Sequence, residues 1–146
     1  MNGYNSLREA FKDYKGHVDV DYNRRIIDGE DAVKELMRIR ELYPDEDFPD
    51  RVNNNADAQN KVIPDIVFHN RKSSKKNFLV IQVKTTTYDL KSPEVKYDRV
   101  LLRYFTIHDY HYDYGAFIYL TTGKKYNRDE KYLIELYKNG EKLERD

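Results

Sequence analysis

The sequence contains no cysteine and no tryptophan, and it has only four prolines and six glycines among 146 residues. Without cysteine the chain forms no disulfide and no thiolate zinc site, which fits a protein of a reducing compartment. No segment approaches the ~20 apolar residues that a helix needs to cross a bilayer, and the first residues contain no apolar signal core. We therefore expect a cytoplasmic protein without a membrane segment.

A net charge is also missing, because 26 lysines and arginines balance 26 aspartates and glutamates. Dedicated nucleic-acid binders often carry an excess of basic residues, so composition alone does not indicate a DNA partner. Fourteen tyrosines and six phenylalanines supply large apolar surfaces for a core. The length is that of one domain, and we expect a single domain over residues 1–146.

The first part of the chain alternates between helical and extended patterns. Residues 5–15 place apolar side chains at helical spacing, whereas residues 17–23 alternate apolar and polar side chains as a half-buried strand does. Helical spacing returns over 30–42. Residues 43–61 contain two prolines, an acidic cluster and three consecutive asparagines, which predict a long loop. We expect a helix–loop insertion at about residues 28–61.

The second part of the chain is richer in strands. Residues 62–69 and 77–86 are apolar and β-branched, and their proximity predicts a hairpin. Residues 94–110 favour a helix, and the apolar run at 114–122 is typical of a strand covered on both faces. Near the end, Asn139-Gly140 between two alternating segments predicts a hairpin, with a helix as the alternative. Together the elements predict an α/β fold with a mixed central sheet flanked by helices.

Three polar residues interrupt the two central strands. Asp65 follows Pro64 at the start of the first strand, and Gln82 and Lys84 lie late in the second. Side chains alternate faces along a strand, so Gln82 and Lys84 project to the same side. Asp65 alone is as well explained by a turn or capping role. All three on neighbouring strands predict a site, because polar groups in a buried strand need a partner.

Such a set suits the hydrolysis of a phosphodiester bond. A divalent cation neutralises developing charge and lowers the pKa of the attacking water, and Mg²⁺ prefers oxygen ligands. Asp65 is the candidate charged ligand, and the Gln82 side-chain oxygen and the Val83 carbonyl are candidate neutral ones. Lys84 is the candidate for orienting water or stabilising the transition state. We expect Mg²⁺ or Mn²⁺ as the cofactor.

The same residues resemble the PD-(D/E)XK nuclease superfamily, which includes restriction enzymes. Its signature is Pro-Asp followed, about fifteen residues later on the adjacent strand, by Asp, Glu or Gln, any residue, and Lys. The segments DVDYNRR, PDIVFHNR, NFLVIQVK and YDYGAFIYL are similar to a group of bacterial proteins of unassigned function in that superfamily. The resemblance covers most of residues 18–121 and implies a restriction-endonuclease-like fold with an αβββαβ core.

The chain departs from the family pattern at Gln82, where glutamate is usual. Glutamine keeps the coordinating oxygen but loses the charge. In similar Gln-x-Lys nucleases, an acid from the N-terminal helix replaces the missing carboxylate. Glu9 is the candidate for that acid here, and Asp21 on the following strand is its competitor.

Two functions remain open from the sequence. The first is a metal-dependent endonuclease that cuts DNA, with Asp65, Gln82, Lys84 and Glu9 as candidate catalytic residues. The second is a degenerate nuclease-fold domain that binds nucleic acid or a protein partner without cutting, which the loss of charge at residue 82 and the zero net charge favour. A homodimer is a further possibility, since many nucleases of the superfamily pair to cut two strands.

Overall fold

The computed structural model of the chain describes residues 17–20, 29–54, 58–62, 64–69, 77–85, 89–108, 111–120 and 132–144. The predicted helix over 5–15, with Glu9, lies outside the described residues, and so does Asp21. In chain order the elements are β1 (His17–Val20), α1 (Gly29–Leu42), α2 (Asp50–Asn53), α3 (Ala58–Lys61), β2 (Ile66–His69), β3 (Leu79–Thr85), α4 (Pro93–Ile107), β4 (Tyr114–Leu120), β5 (Tyr132–Lys138) and β6 (Glu141–Lys142).

The six strands form one mixed sheet in which they follow each other in chain order. All neighbouring strands are antiparallel except β3 and β4, which run parallel and are joined through α4. A parallel pair needs a crossover connection, and here α4 supplies it by packing across β3, β4 and β5. The predicted α/β class with a mixed sheet flanked by helices is therefore confirmed.

Helix α4 begins and ends where local chemistry permits. Ser92 lies at the N-cap in an extended conformation, its hydroxyl accepts a hydrogen bond from the Val95 N–H, and Pro93 follows at the first helical position. The helix ends at Ile107, as the next residue leaves the helical region. None of the helices in the described part of the chain is long and apolar enough to span a membrane.

The sheet carries a different apolar cluster on each face. The larger cluster includes Val67, Val80 and Phe117 together with the buried side of α4. The smaller one contains Phe68, Ile81 and Ala116, each of which directly precedes or follows a member of the larger cluster in the sequence. Because side chains alternate along a strand, the two clusters lie on opposite faces, and α4 covers the face of Val80.

The prediction of a loop over residues 43–61 holds for 43–49 but is wrong further on, because two short helices, α2 and α3, lie in the second part of this segment. Val52 and Ala58 are buried and pack into the larger cluster, so apolar contacts hold these helical turns in place. Arg40 of α1 also donates a hydrogen bond to the Val52 carbonyl at 3.0 Å. Polar and proline-rich composition concealed these two apolar anchors.

The predicted strand over 62–69 is shorter in the structure, where β2 begins only at Ile66. Its pairing with β3 is antiparallel, as the predicted hairpin requires. Pro64 has no N–H to donate to a ladder. On the N-terminal side of Ile66, side chains therefore make the contacts between this segment and β3.

The terminal hairpin is confirmed. Asn139 and Gly140 have φ values of 51° and 80°, as a two-residue turn with both central residues in the left-handed region requires. The turn packs against the end of α4, where the Gly140 N–H donates to the Thr106 hydroxyl at 3.0 Å. Arg103 donates to the Gly140 carbonyl at 3.3 Å. The hairpin is thus fastened to the helix by its turn.

Candidate functional site

Asp65 and Gln82 meet where the β2–β3 ladder ends. The last regular pair on this side is Ile66 with Ile81, so the next position outward brings Asp65 opposite Gln82. The Asp65 N–H donates to the Gln82 Oε1 at 3.0 Å. In return, the Val83 N–H donates to the Asp65 Oδ2 at 2.8 Å. These reciprocal contacts fix the Asp65 carboxylate beside the backbone of β3.

Gln82 and Lys84 lie on the face of the sheet that α4 covers. Both alternate in phase with Val80, which belongs to the cluster under that helix. Gln82 is buried, with 3% of its surface exposed, whereas the Lys84 side chain is 19% exposed. The structure therefore brings Asp65, Gln82 and Lys84 together at one end of β3, where Lys84 is more exposed than Gln82.

Lys84 meets an acid that was not among the residues predicted from the sequence. Its Nζ lies 3.2 Å from the Asp98 Oδ2, and the Asp98 side chain is only 6% exposed. Asp98 belongs to the second turn of α4, so the crossover helix delivers a carboxylate onto the strand that it covers. The Asp98 Oδ2 accepts no well-aligned hydrogen bond from any described residue. The ion pair with Lys84 is thus the contact that the structure shows for this oxygen.

The electrostatics of this group are dominated by Asp98. Burial is the main reason that the pKa of its carboxyl group is raised to about 7; the charge of Lys84 opposes this shift, and the negative charge of Asp65 adds to it. Asp65 and Asp98 are therefore close enough to interact as like charges. Two carboxylates near one lysine form a site that concentrates negative charge, which is the condition for attracting a cation.

Asp98 left a signal in the sequence. Val95, Leu101 and Leu102, which lie three or four residues away from it, are all buried. An aspartate in the middle of an apolar helical stripe is a buried charge, and buried charges are rare without a partner. The partner could not be named from the sequence, because the stripe does not show which strand it covers.

Of the other site residues predicted from the sequence, the structure describes Val83. Val83 joins the site through its N–H, which binds Asp65. Glu9 and Asp21 lie outside the described residues, so neither is placed relative to Lys84. Among the described residues, no group of three or more histidines, cysteines, aspartates or glutamates is arranged to hold a metal ion. The oxygen donors that do converge are two carboxylates, Asp65 and Asp98, and the Gln82 amide.

No protein-family model, curated protein or solved structure matches the chain. Any functional assignment therefore depends on the residues themselves and on how the fold arranges them.

Proposed function

We propose that this chain is a metal-dependent phosphodiesterase that cuts DNA, with Asp65, Gln82, Lys84 and Asp98 as its site. The observation that carries the proposal is the buried contact between Lys84 and Asp98 directly beside the hydrogen-bonded pair of Asp65 and Gln82. A buried, charged cluster of this kind lowers the stability of a fold. A buried carboxyl group with a raised pKa beside a lysine, such as Asp98, is typical of catalytic sites.

The donor set fits a divalent cation such as Mg²⁺ or Mn²⁺. Asp65 and Asp98 offer carboxylate oxygens, Gln82 offers an amide oxygen, and the Val83 carbonyl is the neutral ligand expected from the sequence. The Asp98 Oδ2 is buried without a well-aligned hydrogen bond, so it retains capacity to bind a cation. When bound, the cation would lower the pKa of a water molecule and neutralise charge on the phosphate.

The chain's own residues have distinct tasks in this proposal. Asp65 is held by the Val83 N–H, which fixes its carboxylate before any substrate arrives. Lys84 is held by Asp98, and its ammonium has three donors. In this proposal the ammonium, positioned by Asp98, orients the attacking water or stabilises negative charge on the phosphate oxygens.

The order of elements supports a restriction-endonuclease-like arrangement. An antiparallel β2–β3 hairpin is followed by the α4 crossover and the parallel strand β4, in the order expected for the αβββαβ core. The topology is shared by domains with different functions, so the proposal of DNA cleavage depends on the site and not on the fold.

Cleavage of supercoiled plasmid in Mg²⁺ or Mn²⁺ tests the proposal. We expect the parent chain to nick or linearise the plasmid and to lose this activity in EDTA. Asp65→Asn and Lys84→Met should each lower the rate by at least ~100-fold, because they remove a charged ligand and the group that stabilises the transition state. Full activity of the Asp65→Asn variant would contradict the proposal.

One observation favours a degenerate domain that binds without cutting. The Gln82 side chain accepts a hydrogen bond from the backbone of Asp65, and the Asp65 side chain accepts one from the backbone of β3. Such reciprocal contacts are what a purely structural junction between two strands would show. Gln82→Glu separates the two functions. An active site should accept it and bind the cation more tightly, since the Asp65 N–H can donate to a carboxylate equally well. A degenerate domain should remain inactive with the variant in any divalent cation.

A further inference from the structure

Arg51 lies close to the proposed site but belongs to the predicted insertion. It is part of the short helix α2 and forms a three-contact pair with Glu94 in the first turn of α4. Its Nε lies 2.8 and 2.9 Å from the two carboxylate oxygens, and its Nη2 lies 2.6 Å from one of them. This fork geometry orients the guanidinium with little freedom.

The position of Arg51 is fixed from two further sides. Its neighbour Val52 is buried, and the Val52 carbonyl accepts a hydrogen bond from Arg40, so the backbone of α2 is anchored to α1. The guanidinium also lies over the ring of Tyr97, 5.8 Å from the ring centroid. The Tyr97 hydroxyl donates to the carbonyl of Lys61 at 2.7 Å. A cation held from several sides is preorganised for a ligand.

The pair lies one helical turn from the proposed site. Glu94 and Asp98 are four residues apart on α4, a spacing that places both side chains on the same face of a helix. Asp98 in turn contacts Lys84. Burial is the largest cause of the raised pKa of Asp98. The positive charge of Arg51 is among the effects that lower this pKa, which agrees with a short distance between Arg51 and Asp98. Along this row the charge is positive at Arg51, negative at the two acids of α4, and positive again at Lys84.

Arg51 also has donors to offer. Its side chain is 46% exposed, although Glu94 is only 22% exposed. The contacts with Glu94 use Nε and Nη2, and Nη1 makes no hydrogen bond or ion pair with any residue that the structure describes. We propose that Arg51 binds a backbone phosphate of the nucleic acid next to the reacting phosphodiester, through Nη1, while Glu94 and Tyr97 hold the guanidinium in place. The inference rests on the proposed function, since it assigns a substrate contact to that site.

Arg103 offers a matched control for this role. It pairs with Glu46 at 3.2 Å, lies over the ring of Tyr43 at 4.9 Å, and is 38% exposed. It therefore repeats the same three features: a glutamate partner, an aromatic ring beneath and partial exposure. Its other contact is with the Gly140 turn at the far side of α4, away from Asp98. Loss of Arg103 should remove an equal charge and a similar surface pair without touching the site.

DNA binding without catalysis tests the inference. A short fluorescein-labelled DNA duplex is titrated with protein in EDTA at several NaCl concentrations, and anisotropy gives the dissociation constant. We expect Arg51→Gln to weaken binding about tenfold, the effect of one charge-assisted hydrogen bond. It should also reduce the slope of log K against log [salt] by about 0.9, the value for one lost phosphate contact. Arg103→Gln should change neither quantity.

Arg51→Lys adds a second readout. It keeps the charge but loses the fork, so the salt slope should return to the parent value while the affinity recovers only in part. Equal affinity and slope in the parent and Arg51→Gln, equal losses in the Arg51 and Arg103 variants, or no DNA binding by the parent would overturn the inference. Failure of the proposed catalysis is a separate result, because a parent that binds DNA through Arg51 but never cuts it would contradict only the nuclease activity.

Discussion

Replacing Asp98 by asparagine removes a buried negative charge and keeps the size and shape of the side chain. Burial displaces the pKa of this carboxyl group from its ordinary value of 3.8 to about 7. Each pKa unit corresponds to about 1.36 kcal/mol, so the ionised carboxylate lowers the free energy of unfolding by about 4 kcal/mol relative to the neutral form. The attraction of Lys84 is already included in this value, since it is one of the effects that determine the pKa.

The sign of the pH dependence follows from the two states of the chain. Below pH 3.8 Asp98 is protonated in both the folded and the unfolded state, so it has no effect on stability. Between pH 3.8 and 7 the unfolded state releases its proton while the folded state retains it, so stability falls as the pH rises. Above about pH 7 the loss is complete and constant.

We therefore expect Asp98→Asn to match the parent in stability near pH 4 and to exceed it by up to about 4 kcal/mol at pH 8. Urea unfolding of both proteins across this range, followed by far-UV circular dichroism, gives the difference as a function of pH. Titrating groups distant from Asp98 are common to both proteins and cancel in this difference. A variant less stable than the parent at pH 8 would show instead that the ion pair with Lys84 stabilises the fold.

Two further predictions concern the terminal hairpin, which contains Glu135 and Gly140. Gly140→Ala should lower the free energy of unfolding by about 1–2 kcal/mol, because Gly140 has a φ of +80°, a conformation that strains any residue with a side chain. Urea unfolding measures this loss, with the neighbouring Asn139→Gly variant as a control. No loss in Gly140→Ala would show that the turn relaxes. Burial acts to raise the pKa of Glu135. Hydrogen bonds and charges from Arg99 and Lys142 outweigh this effect and hold the pKa below its ordinary value. Glu135→Gln should therefore cost about 2 kcal/mol at pH 7 and progressively less as the pH falls below 4.5, and a pH-independent loss would contradict this.

Much of the fold was predictable, because its strands and longer helices carry regular patterns. The apolar run of β4 and the Asn139-Gly140 turn were recognised from short-range signals that tertiary context does not override. The segment at 43–61 was misjudged for the opposite reason. Val52 and Ala58 are isolated apolar residues among polar ones, and only the assembled core shows that they are buried.

The site was predictable only in part. Gln82 and Lys84 share a face because strand geometry requires it, and Asp65 joins them because β2 and β3 form a hairpin. Asp98 could not be assigned, since its meeting with Lys84 depends on where the crossover helix lies on the sheet. The acid expected at Glu9 was carried over from a resemblance and stays a prediction. So do the DNA substrate and the homodimer.

The central claim is that Asp65 and Asp98 hold a divalent cation beside Lys84. Isothermal titration calorimetry with Mn²⁺ tests it directly, on the parent chain, the Asp65→Asn and Asp98→Asn variants, and Arg103→Gln as a control for the loss of a distant charge. We predict one saturable binding event in the parent and the control, none in Asp65→Asn, and weakened binding in Asp98→Asn. No saturable binding by the parent, or binding that is the same in all four proteins, would contradict a cation site at Asp65 and Asp98.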